Sequence, residues 1–173
     1  MKNIFLFILF AALTLHVSAQ LSIYQSNPLG WINKERIKLE YRINEQNSIS
    51  LAAAAYWNLN NGFQTFLEYR KYFTGANNFE RPDREFFLYG KIGGGNSGKD
   101  LSSANNEMYY SFFGGGAGWH FNLTPRFFLD LALGLKASSI ESKDVEGYNI
   151  LFQTFGPGSF IDANFHLGFN LYK

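Results

Sequence analysis

The feature that most constrains the fold of this chain is a series of long segments in which apolar and polar residues alternate one by one. The clearest segment covers residues 36–43. One of its faces is apolar and the other is charged: Ile37, Leu39, Tyr41 and Ile43 against Arg36, Lys38, Glu40 and Arg42. Because successive side chains of a β-strand point to opposite faces, this period of two predicts strands and not helices.

Six further segments are predicted to be strands. They cover residues 48–57, 63–73, 85–92, 109–121, 126–137 and 160–172, and the facing of residues 85–92 is ambiguous. An eighth strand is predicted over residues 21–25, before Pro28 interrupts the pattern. Most of these segments are longer than the five or six residues usual in soluble sheets, and they suit a tilted crossing of a lipid bilayer.

The connections between these strands fall into two groups by length. Tight turns at residues 44–47 and 122–125, with a moderate segment at 74–84, alternate with the longest connections, at 93–107 and 138–159. Outer-membrane barrels have short periplasmic turns and longer external loops. We therefore predict an all-β fold, an eight-stranded antiparallel up-and-down transmembrane β-barrel with both chain ends in the periplasm. Residues 148–155 are apolar enough to extend a strand or to cap the barrel.

The contents of the two faces predict which one meets lipid. The apolar faces carry no charge through their middles and end on aromatic residues such as Trp57 and Trp119, like the aromatic girdles of membrane barrels. The opposite faces mix charges of both signs with glycines and large rings, and an eight-stranded barrel is just wide enough for side chains to fill. Gly114, Gly116, Gly118 and Gly134 are expected to make space for Phe66, Tyr72 or Phe128. We expect a filled interior without an open pore, and a structural charge network made of Arg36, Lys38, Glu40, Arg42, Glu68, Arg70, Asp130, Lys136 and Asp162.

The first residues predict export. A positive start, a short apolar stretch and the small residues before Gln20 are typical of a signal peptide over residues 1–19, cleaved after Ala19. Residues 20–173 are then expected to form a single barrel domain in the outer membrane of a Gram-negative cell. The chain has no cysteine, which excludes disulfides and a lipid-anchored lipoprotein, and its 15 basic and 14 acidic residues give no electrostatic footprint for nucleic acid.

Candidate catalytic and metal-binding residues are few. His120 and His166 both fall on predicted inward faces, and no cluster has metal-ligand spacing. Residues 93–100 superficially resemble a phosphate-binding loop, but Asp100 stands where that loop needs Ser or Thr. We expect no catalytic residues, no cofactor and no metal.

The chain resembles the small outer-membrane β-barrels of unknown function that are common in Bacteroidota, which share the architecture of OmpA/OmpX-type barrels. The resemblance covers most of the chain after residue 20. It is carried by residues 39–42 (LEYR), 66–73 (FLEYRKYF), 114–125 (GGGAGWHFNLTP) and 168–173 (GFNLYK). It implies an eight-stranded barrel and assigns no catalytic residues.

Three functions remain open at this stage. The first is an integral outer-membrane barrel with a structural or surface-interaction role, whose partners are outer-membrane lipid, the barrel-assembly machinery during biogenesis and an extracellular partner at the long loops. The second is a soluble periplasmic lipocalin-like barrel, with the Leu-rich faces lining a cavity for a small apolar ligand. The third is a lipid-modifying barrel enzyme with Ser111 or Ser159 as nucleophile and a histidine as base.

Overall fold

The described residues form a closed antiparallel β-barrel. The structure, a computed structural model, describes residues 21–25, 34–56, 62–73, 84–97, 108–141 and 160–170. Its strands are β1 (Leu21–Gln25), β2 (Lys34–Arg42), β3 (Asn47–Tyr56), β4 (Gly62–Phe73), β5 (Arg84–Ser97), β6 (Met108–Asn122), β7 (Phe127–Glu141) and β8 (Ile161–Asn170). Each strand pairs with the next in sequence, and β1 also pairs with β8, so the sheet closes.

The predicted fold class is confirmed, with two corrections to the strand bounds. The first strand covers residues 21–25 as predicted, whereas β5 and β7 run further than the alternation indicated. Residues 93–97, expected to be loop, continue β5 and pair with both β4 and β6. The predicted signal peptide, Trp57 and residues 148–155 lie outside the described residues.

The two ends of the barrel differ in how the strands connect. Bends at residues 43–46 and 123–126 join β2 to β3 and β6 to β7 at one end, which we call the turn end. We call the opposite end, where β4 begins and β5 finishes, the loop end. Among the described residues, no helix is long and apolar enough to cross a membrane.

Burial along the strands is the reverse of that in a water-soluble sheet. Leu133 and Leu135 are 64% and 69% exposed, while Lys38 and Asp130 are fully buried. On β4 the classes alternate without exception from Phe63 to Phe73, with apolar residues such as Leu67 outside and Glu68 inside. The apolar faces therefore form the outer wall, and the charged faces form the interior.

Glycines admit large rings into the interior, as predicted, but none of the four predicted glycines has a predicted ring as its neighbour. A side-chain carbon at Gly168 would collide with the ring of Phe128, and one at Gly118 would lie 2.6 Å from the ring of Phe87. Gly134 is occupied in the same way by Tyr89, which was not expected. Close packing of this kind leaves no room for an added methyl group.

Candidate functional site

Arg70 is the centre of an ion-pair cluster inside the barrel. Its Nε donates to Oε1 of Glu68 at 2.6 Å, and its Nη1 lies 2.5 Å from Asp130 Oδ2 and 3.3 Å from Glu40 Oε2. These residues come from β2, β4 and β7, so the contacts cross the interior instead of following neighbouring strands. We call Lys38, Glu40, Glu68, Arg70 and Asp130 the central cluster.

Lys38 and Tyr72 complete the contacts of this cluster. The Lys38 ammonium lies 3.1 Å from Glu68 and 3.8 Å from Glu40. The Tyr72 hydroxyl donates to Glu40 at 2.7 Å and accepts from Arg70 at 3.2 Å. Charges taken out of water are tolerated only when opposite charges and hydrogen bonds surround them. The central cluster meets that condition, which explains how so many charges fit in one narrow barrel.

A separate ion pair lies on each side of the central cluster. Toward the turn end, the two terminal guanidinium nitrogens of Arg42 donate to the two carboxylate oxygens of Glu85, at 2.6 and 3.4 Å. The same guanidinium lies 4.0 Å from the centre of the Tyr72 ring. Toward the loop end, Lys91 pairs with Asp162, which also accepts a 2.6 Å hydrogen bond from the Tyr89 hydroxyl.

Both interior histidines make polar contacts with other side chains. His120 Nδ1 lies 2.6 Å from Asp130 Oδ1, and its Nε2 lies 3.3 Å from Asn122. His166 Nε2 lies 3.1 Å from Arg36, whose guanidinium also donates to Asn164 at 2.6 Å. These contacts give each ring a fixed neighbour in the packed interior.

The structure places the predicted network residues as follows. Eight of them are buried: Arg36, Lys38, Glu40, Arg42, Glu68, Arg70, Asp130 and Asp162. Lys136 is partly buried, with its ammonium 5.5 Å from the centre of the Phe112 ring. Glu85 and Lys91 belong to the same interior and were missed. They lie six residues apart on β5, and residues an even number apart on a strand share a face. That spacing is the sequence signal that could have assigned both charges to the interior.

The geometry contradicts a hydrolase built on Ser111. Ser111 and His120 lie on the same strand, nine residues apart, which at about 3.3 Å per residue separates them by roughly 30 Å. Ser111 is exposed on the outer wall, whereas His120 and His166 are buried inside. A nucleophile and its base must lie within hydrogen-bond reach. Ser159, the other predicted nucleophile, lies outside the described residues.

Metal ligation has no visible basis in the described part of the chain. There, no group of three or more His, Cys, Asp or Glu side chains could hold a metal ion. The buried carboxylates of the cluster and its flanking pairs already contact arginine, lysine or histidine. Each of these carboxylates therefore has a cationic partner.

The chain matches no protein-family model and no curated protein. Among solved structures, it is similar to the N-terminal β-barrel domain of OprF from Pseudomonas aeruginosa. The TM-score is 0.61 at 14% sequence identity, over 88% of this chain and 96% of that one. It is also matched to the Neisserial surface protein A (NspA), with a TM-score of 0.48 at 12% identity, over 88% of this chain and 89% of that one. The likeness to the OprF domain shows the fold, a small β-barrel.

Proposed function

We propose that this protein is a small integral outer-membrane β-barrel with a structural or surface-interaction role, without an open pore and without catalytic activity. The observation that carries the proposal is the inverted burial of the strands. Soluble monomers rarely expose contiguous apolar patches larger than a few hundred Å². Here exposed Leu, Ile and Phe side chains cover strand after strand, while arginines and carboxylates occupy the interior. Such a wall is suited to lipid and not to water.

The location and origin are part of the same proposal. We infer that residues 1–19 direct export and are removed after Ala19, and that the loop end faces the cell exterior with both chain ends in the periplasm. The barrel is then inserted by the assembly machinery of the outer membrane. We also infer that the chain belongs with the small barrels of Bacteroidota that its sequence resembles.

The absence of an open pore is supported by what fills the interior. The central cluster crosses the barrel, and Phe87 and Phe128 are fully buried beside it. Purified protein in a planar lipid bilayer should therefore give no steady ionic conductance. A stable conductance that depends on inserting the barrel would contradict a sealed interior.

The facing of the strands argues against the soluble lipocalin-like alternative. It required the Leu-rich faces to line a cavity and the charges of β2 to face water. Leu39 and Leu51 are instead exposed on the wall, and Lys38 and Glu40 are buried. An apolar ligand would find no apolar cavity among the side chains of the central cluster.

The surface-interaction role rests on the connections at the loop end. The segment after β7, at residues 142–159, is the longest between strands, and the segment after β5, at residues 98–107, is as long as residues 74–83 at the turn end. Surface loops tolerate changes in length and sequence, and binding residues are often found on loops that a rigid scaffold positions. We propose that these two segments contact an extracellular partner.

Expression of the full chain in a Gram-negative host tests the proposal. We expect the protein in the outer-membrane fraction, released by detergent but not by salt, and migrating differently on a gel before and after boiling. Mass spectrometry should find Gln20 as the first residue. Recovery of folded monomer from the detergent-free periplasmic fraction would refute the membrane assignment.

A further inference from the structure

A groove of about 370 Å³ lies on the outer wall near the loop end, across β4, β5 and β6. Its floor is Gly94, which lies in register between Thr65 on β4 and Ser111 on β6. Both of these side chains are exposed. The Thr65 and Ser111 side chains therefore project on either side of Gly94, which has none, and this difference forms the groove.

Two aromatic rings border the groove on the side nearer the loop end. Phe63 and Tyr109 lie in register on either side of Asn96, and they are 52% and 54% exposed. Adjacent strands are about 4.8 Å apart, so backbones two strands apart are separated by roughly 10 Å. The Asn96 side chain accepts a 3.0 Å hydrogen bond from the backbone N–H of Phe63. In the part of the chain that the structure describes, no residue that lines the groove is charged.

The groove lies where the outer wall changes from apolar to polar. The next exposed row toward the turn end is Leu67, Ile92 and Phe113. The row of the groove itself carries Thr65, Ser111 and, in register on β7, Ser139. In a membrane barrel such a boundary, flanked by aromatic rings, marks the level of the lipid headgroups. This step rests on the proposed function.

We propose that the groove binds the saccharide headgroup of an acylated glycolipid of the surrounding leaflet. The rings of Phe63 and Tyr109 offer flat apolar faces against which the C–H face of a sugar ring packs. The hydroxyls of Thr65, Ser111 and Tyr109 can exchange hydrogen bonds with sugar hydroxyls. Because no charged side chain of the described residues lines the groove, a phosphate headgroup has no counter-ion among them. The acyl chains then continue along the apolar rows below.

The backbone at the floor requires glycine for a reason independent of any ligand. A side-chain carbon at position 94 would lie 2.8 Å from the carbonyl oxygen of Tyr110. Substitution of Gly94 would therefore mix strain with loss of binding, and Ser111 is the better site for a test. Ser111→Trp fills the groove from its edge. Ser139→Trp is the matched control, because Ser139 is an exposed serine in the same row but does not line the groove.

The experiment uses the full chain, purified from the membrane in detergent and analysed by native mass spectrometry. The probes are an acylated diglucosamine lipid without phosphate groups and phosphatidylethanolamine, added separately. We expect one diglucosamine lipid per barrel, with affinity about tenfold lower in Ser111→Trp, a change of roughly 1.4 kcal/mol, and unchanged in Ser139→Trp. Equal binding of the two lipids, or equal loss in the two variants, would overturn the proposal.

A second pair of variants tests the rings. Phe63→Leu keeps an apolar residue but removes the ring. Phe113→Leu makes the same change in the next exposed row toward the turn end, outside the groove. Glycolipid binding should fall in the first variant only, and equal binding in both would also overturn the proposal. The shift of the folded band on boiling serves as a separate readout. A chain that lacks this shift contradicts the proposed membrane barrel, whereas a shifted chain without glycolipid contradicts only the groove.

Discussion

Arg70 and Asp130 form a 2.5 Å ion pair inside the barrel, although they are 60 residues apart in the chain. Their side chains are 2% and 0% exposed. They lie on β4 and β7, which are not neighbours in the sheet, so this pair connects two walls through the interior. Asp130 is held at the same time by His120. The barrel is therefore tied across its centre as well as around its circumference.

Arg70→Met should destabilise the barrel strongly. The substitution leaves Glu40, Glu68 and Asp130 buried with one cation fewer, and breaking a buried ion pair costs about 3 to 5 kcal/mol. Asp130→Asn should cost less, because Arg70 keeps its contacts with both glutamates. The free energy of unfolding by urea in lipid vesicles measures both changes.

The control for this series is Arg126→Met. Arg126 is exposed in the bend between β6 and β7, and a change there should stay within about 0.5 kcal/mol of the parent. If Arg70→Met were as mild as Arg126→Met, the central cluster would contribute nothing to the stability of the barrel.

Leu133→Arg should oppose membrane insertion. Leu133 is 64% exposed near the middle of β7, and an arginine at the centre of the lipid-facing wall costs about 2 to 4 kcal/mol. Leu123→Arg is the matched control, because Leu123 is 57% exposed in a bend at the turn end. The fraction of protein that inserts into vesicles, measured by the band shift on boiling, should fall in the first variant alone. Equal insertion of both would place β7 outside the bilayer.

Alternation in the sequence predicts the strands and their facing wherever the two faces differ in polarity. From Arg36 to Arg42 on β2, every second residue is charged, and those four residues are buried. On β5, Phe86, Phe87, Leu88 and Tyr89 are apolar on both faces, since some fill the interior and others meet the outer wall. That is why the sequence left the facing of β5 ambiguous, although the spacing of Glu85 and Lys91 places both on the same face.

Glycine-rich sequence and contacts between distant strands account for the other features that the sequence did not predict. Residues 93–95 have no side chains to show a period, so the sequence favoured a loop where the ladder to β4 and β6 continues a strand. The pairing of Arg70 with Asp130 depends on strand register and on the diameter of the closed barrel. Composition supplies charges of both signs but does not determine which of them meet. The groove over Gly94 depends on register in the same way.

Gly168→Ala should destabilise the barrel, and a smaller residue at position 128 should restore much of the loss. The ring of Phe128 occupies the space where the added methyl group would lie. Overpacking of this kind costs about 1 to 3 kcal/mol. Gly90→Ala is the control, because a side-chain carbon there meets nothing closer than 4.0 Å. Unfolding free energies should show that Phe128→Leu lessens the effect of Gly168→Ala; additive losses in the double variant would mean that the two sites do not compete for space.

Asn44→Ala should weaken the tight turn between β2 and β3. The side-chain oxygen of Asn44 accepts hydrogen bonds from the backbone N–H groups of Gln46 at 3.0 Å and Asn47 at 2.8 Å. Thr124 holds the other bend in the same way, accepting from the backbone of residues 126 and 127. Because a hydrogen bond contributes about 0.5 to 1.5 kcal/mol, Asn44→Ala should lower the free energy of unfolding by roughly 1 kcal/mol.

Two further substitutions in this turn separate the hydrogen bonds from other effects. Asn44→Asp keeps an oxygen acceptor in place and should retain most of the stability, since short polar side chains of this kind stabilise turns by accepting from the backbone two residues on. Glu45→Ala changes an exposed residue between the bonded groups and should have little effect. If Asn44→Asp were as unstable as Asn44→Ala, acceptance by the side-chain oxygen could not be the reason for asparagine at this position.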